Sequence, residues 1–404
     1  MKLSTVCFAL LVTSSNAWLP LTPLKSTRIY SSAVEESAAA ATESALLPEF
    51  EAALKQAKGA LNAAIPEEQT EKLGKVMVPL LEHFMDEYLA AGQAAFLAGD
   101  KERCAPAAVA GRILTGIQYG MKFGMGEDKY KFDVTHTALR GDPEKEDGNT
   151  VDFYKFGCDF FGPCMDLDKS RVLGIDNLQQ AMDQIAAGEN VVLLANHQSE
   201  ADPQAVSVLM EKAGFEKQAA EMIYIAGHKV TTDTLAIPFS MGRNLVCIHS
   251  KKHMDSEPDL KKMKQRQNLQ AMSAMLKKMK EGGALLWVAP SGGRDRRDVE
   301  TGEVPIAPFD SKTIDMFRLM GNKSEVKTHY YSLAMVSYDL CPPPDHVEAG
   351  TGEQRNVRFG PVGISMGPEL ESTGGLESRR EFCDEAMKQC QIGYDDLLAN
   401  MKNN

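Results

Sequence analysis

The spacing of apolar residues divides the chain into two regions with different predicted structures. From residue 46 to about residue 129, apolar side chains recur at helical spacing, as at Phe50, Leu54, Ala57 and Leu61, which predicts helices. After the charged, turn-rich segment 142–149, short apolar runs alternate with helical patterns. This alternation is typical of a largely parallel sheet covered by helices.

The predicted fold class is therefore α/β, with an N-terminal helical bundle packed on a larger α/β domain whose mixed, mostly parallel sheet is covered by helices. We assign residues 46–141 to the helical domain and residues 142–404 to the α/β domain. The candidate strands are 191–196, 222–226, 245–249, 284–289, 330–338 and 357–364. The predicted helices between them include 203–213 and 260–280.

The N-terminal residues have the pattern of a targeting sequence. Residues 1–17 combine a basic start at Lys2, an apolar run and a small-residue cleavage pattern, which is typical of a signal peptide. Residues 18–45 are rich in Ser, Thr and Ala, and their first acid is Glu35, as in a transit peptide. Trp18 after the cleavage pattern resembles the bipartite plastid presequence of algae with complex plastids. We therefore expect delivery to the plastid stroma, with a plain secretory signal as the alternative.

Composition narrows the class of protein. The chain has 404 residues and a formal charge of −12, which argues against a general nucleic-acid binder. Its eight cysteines are scattered without a C-x-x-C pair, so we expect reduced thiols in a reducing compartment. A disulfide between Cys158 and Cys164 stays open at this point. No internal segment has the roughly 18 continuous apolar residues that a membrane-spanning helix needs.

The most informative motif follows the predicted buried strand 191–196. His197 comes directly after this strand, and Asp202 lies at the start of the next predicted helix. Open α/β folds bind ligands at the carboxyl ends of their strands, so this position suits a general base and its orienting carboxylate. The alternative is a helix-capping aspartate beside an incidental histidine, because Asp202-Pro203 is also a strong helix-start signal. Without a G-x-S-x-G motif, direct attack by a substrate hydroxyl is simpler than a serine nucleophile.

Basic residues follow two other predicted strands. Residues 290–296 (PSGGRDR) follow the fourth candidate strand, and Arg294 and Arg296 offer forked donors that suit a phosphate. Lys252 and His253 follow the third candidate strand. Each basic run taken alone could be a solvated surface loop. Because the carboxyl ends of parallel strands meet at one edge, we expect them to surround a bound phosphate near the histidine.

The predicted helix 260–280 is amphipathic, and it is basic within an acidic chain. We expect its basic face to be solvated, although docking of an acidic carrier protein or of an anionic membrane surface stays open. Its apolar stripe is expected to lie in the core and consists of Leu269, Met272, Leu276 and Met279.

Four blocks of sequence resemble the soluble, chloroplast-type glycerol-3-phosphate 1-O-acyltransferases. In chain order they are 196–203 (NHQSEADP), 238–245 (PFSMGRNL) together with 250–254 (SKKHM), 287–296 (WVAPSGGRDR), and 330–344, which ends in PPP. The resemblance covers the chain from about residue 46 to its C-terminus. The third block is long enough to be specific, whereas the first is shared by the wider glycerolipid acyltransferase superfamily.

The resemblance implies transfer of an acyl group from acyl–acyl carrier protein, or from acyl-CoA, to the sn-1 hydroxyl of glycerol 3-phosphate. The product would be lysophosphatidate, in the first step of plastid glycerolipid synthesis. Carried over by position, His197 is the base, Asp202 is its partner, and the phosphate is bound by Lys252, His253, Arg294 and Arg296. No covalent acyl-enzyme, metal or redox cofactor is expected, and no nucleic-acid partner.

Several positions depart from the family pattern. They are Ser199 for Thr, Arg297 for Pro, Ser332 for Pro, and His228-Lys229 for Asp-Arg. The last two departures leave the lining of the acyl or acceptor pocket open. Two alternative functions also remain at this point: a lysophosphatidate acyltransferase, which would need access to a membrane-borne acceptor, and a non-catalytic phosphate- or lipid-binding module with the same fold.

Overall fold

The structure, a computed structural model, describes residues 45–64, 77–127, 129–141, 151–249, 258–344, 353–372 and 378–402. The N-terminal region forms three helices, α1 (Pro48–Ala64), α2 (Met77–Leu97) and α3 (Pro106–Gly124). Helices α2 and α3 approach each other closely at Gly92, where an added Cβ would lie 2.5 Å from Val109 in α3. Helix α1 contacts both of them, so the three helices pack together as the periodicity predicts.

The rest of the described chain builds one sheet. Its strands are β1 (Thr135–His136), β2 (Arg171–Leu173), β3 (Asn190–Ala195), β4 (Ile223–Gly227), β5 (Asn244–Ile248), β6 (Leu285–Val288), β7 (Thr328–Val336) and β8 (Gly363–Glu369), in the spatial order β1-β5-β4-β6-β3-β7-β8-β2. Strands β3 to β7 run parallel to one another, whereas β1 and β8 are antiparallel to β5 and β7. The carboxyl ends of five strands therefore share one edge.

Helices cover both faces of the sheet. They are α4 (Phe153–Phe161), α5 (Ile175–Ala186), α6 (Asp202–Lys212), α7 (Glu216–Glu221), α8 (Ile237–Met241), α9 (Lys261–Glu281), α10 (Ser311–Ser324) and α11 (Arg379–Lys402). Alternate residues of β3 enter two cores: Val191 and Leu193 pack in the core that also contains α1 to α3, and Val192 and Leu194 pack in the core formed with α9 to α11. The predicted fold class is confirmed.

Two local predictions were wrong. Residues 357–362 are not a strand, because β8 begins only at Gly363. Val357 and Val362 are buried all the same, so their apolar pattern reflects a loop packed on the core. In α9, Leu269 is 72% exposed rather than part of the core. The rest of the predicted stripe is confirmed, because Met279 is buried and Met272 and Leu276 pack against the core. The buried side also includes Lys264, Ala271 and Met275.

Other predictions meet the structure only in part. Cys158 and Cys164 are both free thiols, as is each of the seven cysteines in the described residues. The domain boundary at 142–149 and the presequence lie outside the described residues, so both stay predictions. Strand β1 belongs to the segment assigned to the helical domain, yet it pairs with β5 of the sheet. None of the helices in the described ranges is both long and apolar enough to cross a bilayer.

Candidate active site

His197 and Asp202 form a hydrogen-bonded pair at the carboxyl end of β3. The Nδ1 atom of His197 lies 2.7 Å from Oδ2 of Asp202. Asp202 is completely buried, whereas the His197 side chain is 26% exposed. An ionised carboxylate can only accept hydrogen bonds, so Nδ1 is the ring nitrogen that donates. The other nitrogen, Nε2, is thereby left as an acceptor on the open side of the ring.

The Asp202 carboxylate is held by a set of donors from the same loop and from the end of β7. Oδ2 accepts the Gln198 backbone N–H (2.8 Å), while Oδ1 accepts the Ser199 backbone N–H (3.0 Å) and the Ser337 hydroxyl (2.6 Å). Burial alone would raise the pKa of Asp202, but the hydrogen bonds from His197, Ser337 and Gln198 outweigh it and lower the pKa. Asp202 is therefore ionised at neutral pH.

This geometry decides between the two readings of Asp202. Helix α6 begins at Asp202, its N-cap position is Ala201, and the cap makes no side-chain hydrogen bond to the helix. The carboxylate turns back toward the preceding loop and the histidine ring. Asp202 therefore bonds to His197 and the preceding loop and does not cap the helix, as the predicted orienting role requires.

A second buried aspartate ties the loop after β6 to the same site. The backbone N–H of Asp295 donates to the His197 carbonyl (2.6 Å). Its carboxylate accepts hydrogen bonds from the Asn196 amide (3.0 Å) and the Ala307 backbone N–H (2.8 Å). Burial raises the pKa of Asp295 to about 6, against those two hydrogen bonds, and the nearby Asp202 charge adds to the rise. Two strand-end loops are thus joined through backbone and buried polar groups.

Arg294 lies in an ion-pair cluster beside the histidine motif. Its guanidinium contacts Glu353, and it is 3.6 Å from Oε1 of Glu200, a residue between His197 and Asp202 in the chain. Burial would lower the pKa of Arg294, but the charges of Glu200 and Glu353 raise it. Arg294 therefore stays cationic in a mostly buried position next to the candidate base.

Three further charged residues complete this cluster. Arg355 donates to Glu200 (3.0 Å) and to Asp233 (2.8 Å), and Lys229 is 2.7 Å from Glu353. Burial would raise the pKa of Glu353, but Lys229 and Arg294 lower it. The cluster contains three cations, Lys229, Arg294 and Arg355, and three anions, Glu200, Asp233 and Glu353. It is electrically balanced, so an added phosphate needs further positive charge to be bound well.

The remaining predicted phosphate ligands are not part of the described cluster. Arg296 is exposed and donates to the Pro344 carbonyl (3.3 Å). Lys252 and His253 lie outside the described residues. The structure therefore pairs His197 with Asp202 and places Arg294 beside Glu200 of the same loop. The roles of all six residues stay predictions.

Several residues of the site were missed by sequence reasoning. Ser337 donates to Asp202, and Glu200 pairs with Arg294. The Gln198 side chain accepts the backbone N–H groups of Ser337 and Tyr338. The signal for Ser337 was available, because it is a polar residue near the end of a predicted strand at the same edge. Glu353 and Arg355 carried no such signal, since they precede β8 in a region with no recognisable motif.

Trp287 forms the wall beside the histidine. Its ring meets the His197 ring edge to face, with the centroids 5.6 Å apart, and its buried indole N–H has no hydrogen-bond partner among the described residues.

The structure also shows the position of Ser332, one of the departures from the family pattern. Ser332 lies away from the site, beneath α11, and donates to the Ala386 carbonyl (2.7 Å).

Known proteins resemble this chain in sequence. Residues 169–336 match the family model described as Acyltransferase. The chain is 40% identical to "Glycerol-3-phosphate acyltransferase, chloroplastic" of Spinacia oleracea over 244 residues, which are 60% of this chain and 50% of that protein. It is also 40% identical to the protein of the same name in Arabidopsis thaliana over 284 residues, 69% of this chain and 60% of that protein. The chain thus spans about half to three fifths of the length of these curated relatives.

A solved structure was also matched. The 1-acyl-sn-glycerophosphate (LPA) acyltransferase PlsC from Thermotoga maritima superposes with a TM-score of 0.33 at 18% identity, covering 58% of this chain and 75% of that one. The sequence relatives are the stronger finding, and their names describe them as chloroplastic. The matched region includes the His197–Asp202 pair and the loop that carries Arg294. Over residues that include this site, the chain is therefore similar both to the Acyltransferase family model and to the chloroplast glycerol-3-phosphate acyltransferases.

Proposed function

We propose that the protein transfers a fatty acyl group from a thioester to the sn-1 hydroxyl of glycerol 3-phosphate, giving lysophosphatidate. The donor is acyl–acyl carrier protein or acyl-CoA. The observation that carries this proposal is the pairing of His197 Nδ1 with a fully buried, ionised Asp202, beside a guanidinium that can face a phosphate. The relatives' names supply the identity of the acceptor.

His197 acts as the general base. Asp202 fixes the tautomer in which Nδ1 carries the proton, so Nε2 can accept a proton from the acceptor hydroxyl. The hydroxyl oxygen attacks the thioester carbonyl carbon, a C–O bond forms and the C–S bond breaks. The proton taken by Nε2 then passes to the leaving thiolate. General-base catalysis of this kind contributes about 10²–10⁴ in rate, and none of these steps calls for a metal or a redox cofactor.

A serine nucleophile does not fit the site. Ser199 is buried, and its hydroxyl donates to Oδ1 of Asp202 (3.0 Å). A serine whose proton is held by the orienting carboxylate is poorly placed to give that proton to His197. This supports direct attack by the acceptor hydroxyl, without an acyl-enzyme.

The phosphate of the acceptor is bound on the side of Arg294. Glu200 and Glu353 hold the guanidinium in place, and planar guanidinium groups match phosphate oxygens in a bidentate arrangement. Because the described cluster is balanced in charge, the phosphate needs additional cations. Lys252, His253 and Arg296 are the residues that we propose to supply them.

Steady-state kinetics with both acceptors tests the proposal. Purified protein, offered glycerol 3-phosphate and lysophosphatidate side by side, should acylate the former. Arg294→Ala should mainly raise the KM for glycerol 3-phosphate, because phosphate binding acts in both ground and transition states. Arg297→Ala is the matched control, since Arg297 pairs with Asp339 on the protein surface, and it should leave KM unchanged.

Two outcomes would contradict the proposal. Preference for lysophosphatidate would assign the protein to the other acceptor. Binding of glycerol 3-phosphate without turnover of either thioester would make it a binding module.

We further propose delivery to the plastid stroma by the bipartite presequence in residues 1–45. The chloroplastic relatives and the signal-like and transit-like composition of these residues support it. A fluorescent protein fused to residues 1–45 should reach the stroma of an alga with complex plastids. Secretion of the fusion would show that a plain signal peptide is present.

A further inference from the structure

Helix α9 extends beyond the edge of the sheet at which the candidate active site lies. Asn268 bonds twice to the backbone of His249, just after β5, through its Oδ1 (2.8 Å) and Nδ2 (3.0 Å) atoms. From there the helix runs down the sheet to Glu281 and leads into the start of β6. Residues 261–267 therefore project about 10 Å past the carboxyl ends of the strands.

This projecting end is basic and partly apolar. Lys262 and Arg266 are exposed and lie on the side opposite the buried residues of the helix. Among the described residues neither has an ion-pair partner. Met263 in this end is 46% exposed, and Leu269, which lies just after it in the helix, is 72% exposed. The far end differs, because Lys278 and Lys280 lie near Glu281 and Glu325.

The projecting end lies at the same edge of the sheet as His197. Three strand steps separate β5 from β3, which at ~4.8 Å per step is about 14 Å. A partner seated on the projecting end could therefore reach His197 only with an extended arm. A carrier protein that holds its acyl thioester on a flexible pantetheine arm has this property.

Resting on the proposed function, we infer that Lys262, Arg266, Met263 and Leu269 dock an acidic carrier protein that bears the acyl thioester. Unpaired cations in a chain of formal charge −12 select an acidic partner by steering its approach. The exposed side chains of Met263 and Leu269 flank the two cations and add apolar contact area to this surface. A lipid surface fits less well, because the apolar side of α9, including Ala271 and Met275, is buried against the protein and is not free to enter a bilayer.

Donor kinetics with the full-length protein tests this inference. In the double variant Lys262→Glu/Arg266→Glu, the KM for acyl–acyl carrier protein should rise about tenfold at low salt, and added salt should reduce the difference. The KM for acyl-CoA and for glycerol 3-phosphate should not change. The matched control, Lys277→Glu/Lys278→Glu, makes the same change in net charge at the far end of the helix and should keep the wild-type KM for both donors.

Three results would overturn the inference while leaving the proposed function intact. They are an unchanged KM for acyl–acyl carrier protein, an equal rise in KM for acyl-CoA, or an equal effect of the control variant. Flotation with phosphatidylglycerol vesicles gives a fourth: binding that the Lys262→Glu/Arg266→Glu variant loses, at unchanged carrier-protein KM, would assign the surface to a membrane. If the wild-type protein acylates glycerol 3-phosphate with neither donor, the proposed function itself fails.

Discussion

Two histidines stand at opposite ends of the same pair of strands. His197 follows the carboxyl end of β3 and bonds to one carboxylate through Nδ1. His329, at the amino end of β7, is 2% exposed and bonds to two: its Nε2 lies 2.7 Å from Glu189, and its Nδ1 contacts Glu369. Both are histidines of the same sheet, and they differ in how many of their ring nitrogens bond to a carboxylate.

That difference separates a chemical role from a structural one. Both ring nitrogens of His329 are engaged by carboxylates, so neither is left to face a substrate, and the ring joins the start of β3 to the end of β8. Burial would raise the pKa of Glu369, but the hydrogen bonds from His329, Gln184 and Tyr331 together outweigh this effect and lower it. Of these two histidines, His197 is the one whose Nε2 has no hydrogen-bond partner among the described residues, as the proposed base requires.

Alanine substitution of each histidine gives the clearest contrast. For His197→Ala we expect the turnover number to fall by about 10²–10⁴, with glycerol 3-phosphate binding and the thermal midpoint unchanged. For His329→Ala we expect the unfolding free energy to fall by roughly 1–3 kcal/mol, with normal turnover per folded molecule. The glutamates are about a third exposed, so solvent limits this loss. Near-normal turnover of His197→Ala would refute its role as the base.

Substitution of the carboxylates that bond to the two histidines should show the same contrast between turnover and stability. In Asp202→Asn an amide N–H₂ group would face donors from His197 and the loop, so the ring loses its fixed tautomer. We expect turnover to fall by about 10²–10⁴, since the imidazole remains but is held in the wrong tautomer. Glu369→Gln is the matched control and should change stability alone. Equal losses of turnover in both variants would show that strand joining, rather than proton transfer, controls the rate.

The two buried aspartates near His197 should oppose each other in the pH dependence of stability. The pKa of Asp202 is lowered, so its contribution is present above the unfolded pKa and is lost as the pH falls through the folded one. The pKa of Asp295 is raised from 3.8 to about 6, so its contribution is present at low pH and is lost as the pH rises through about 6.

Urea unfolding measured across this pH range would separate the two contributions. Asp295→Asn should remove the loss of stability between pH 3.8 and about 6, and Asp202→Asn should remove the loss at more acidic pH. A wild-type stability that is flat up to pH 7, together with an unchanged profile in Asp295→Asn, would contradict the assignment for Asp295.

Sequence reasoning reached those features that local patterns encode. The fully buried strand β3 and the following helix start were visible as an apolar run and an Asp-Pro pair, and they located His197 and Asp202. The docking end of α9 was only partly visible, because helical spacing grouped Leu269 with core residues although its side chain points to solvent. The balance of charge around Arg294 was not visible, since Glu353 and Arg355 are distant in sequence and reach the site only through tertiary packing.

The hydrogen bond from the Asp295 backbone to the His197 carbonyl has one more consequence. It fixes the separation between the main chains that carry the base and the neighbouring Arg294, so only the side chains of these two residues can change their distance. In the proposed reaction the protein would select the acceptor by the distance between its phosphate and its hydroxyl. Phosphorylated alcohols one carbon shorter or longer than glycerol 3-phosphate would still be bound at the phosphate, yet their hydroxyl would miss the imidazole, and discrimination would be seen in the rate of acylation rather than in affinity.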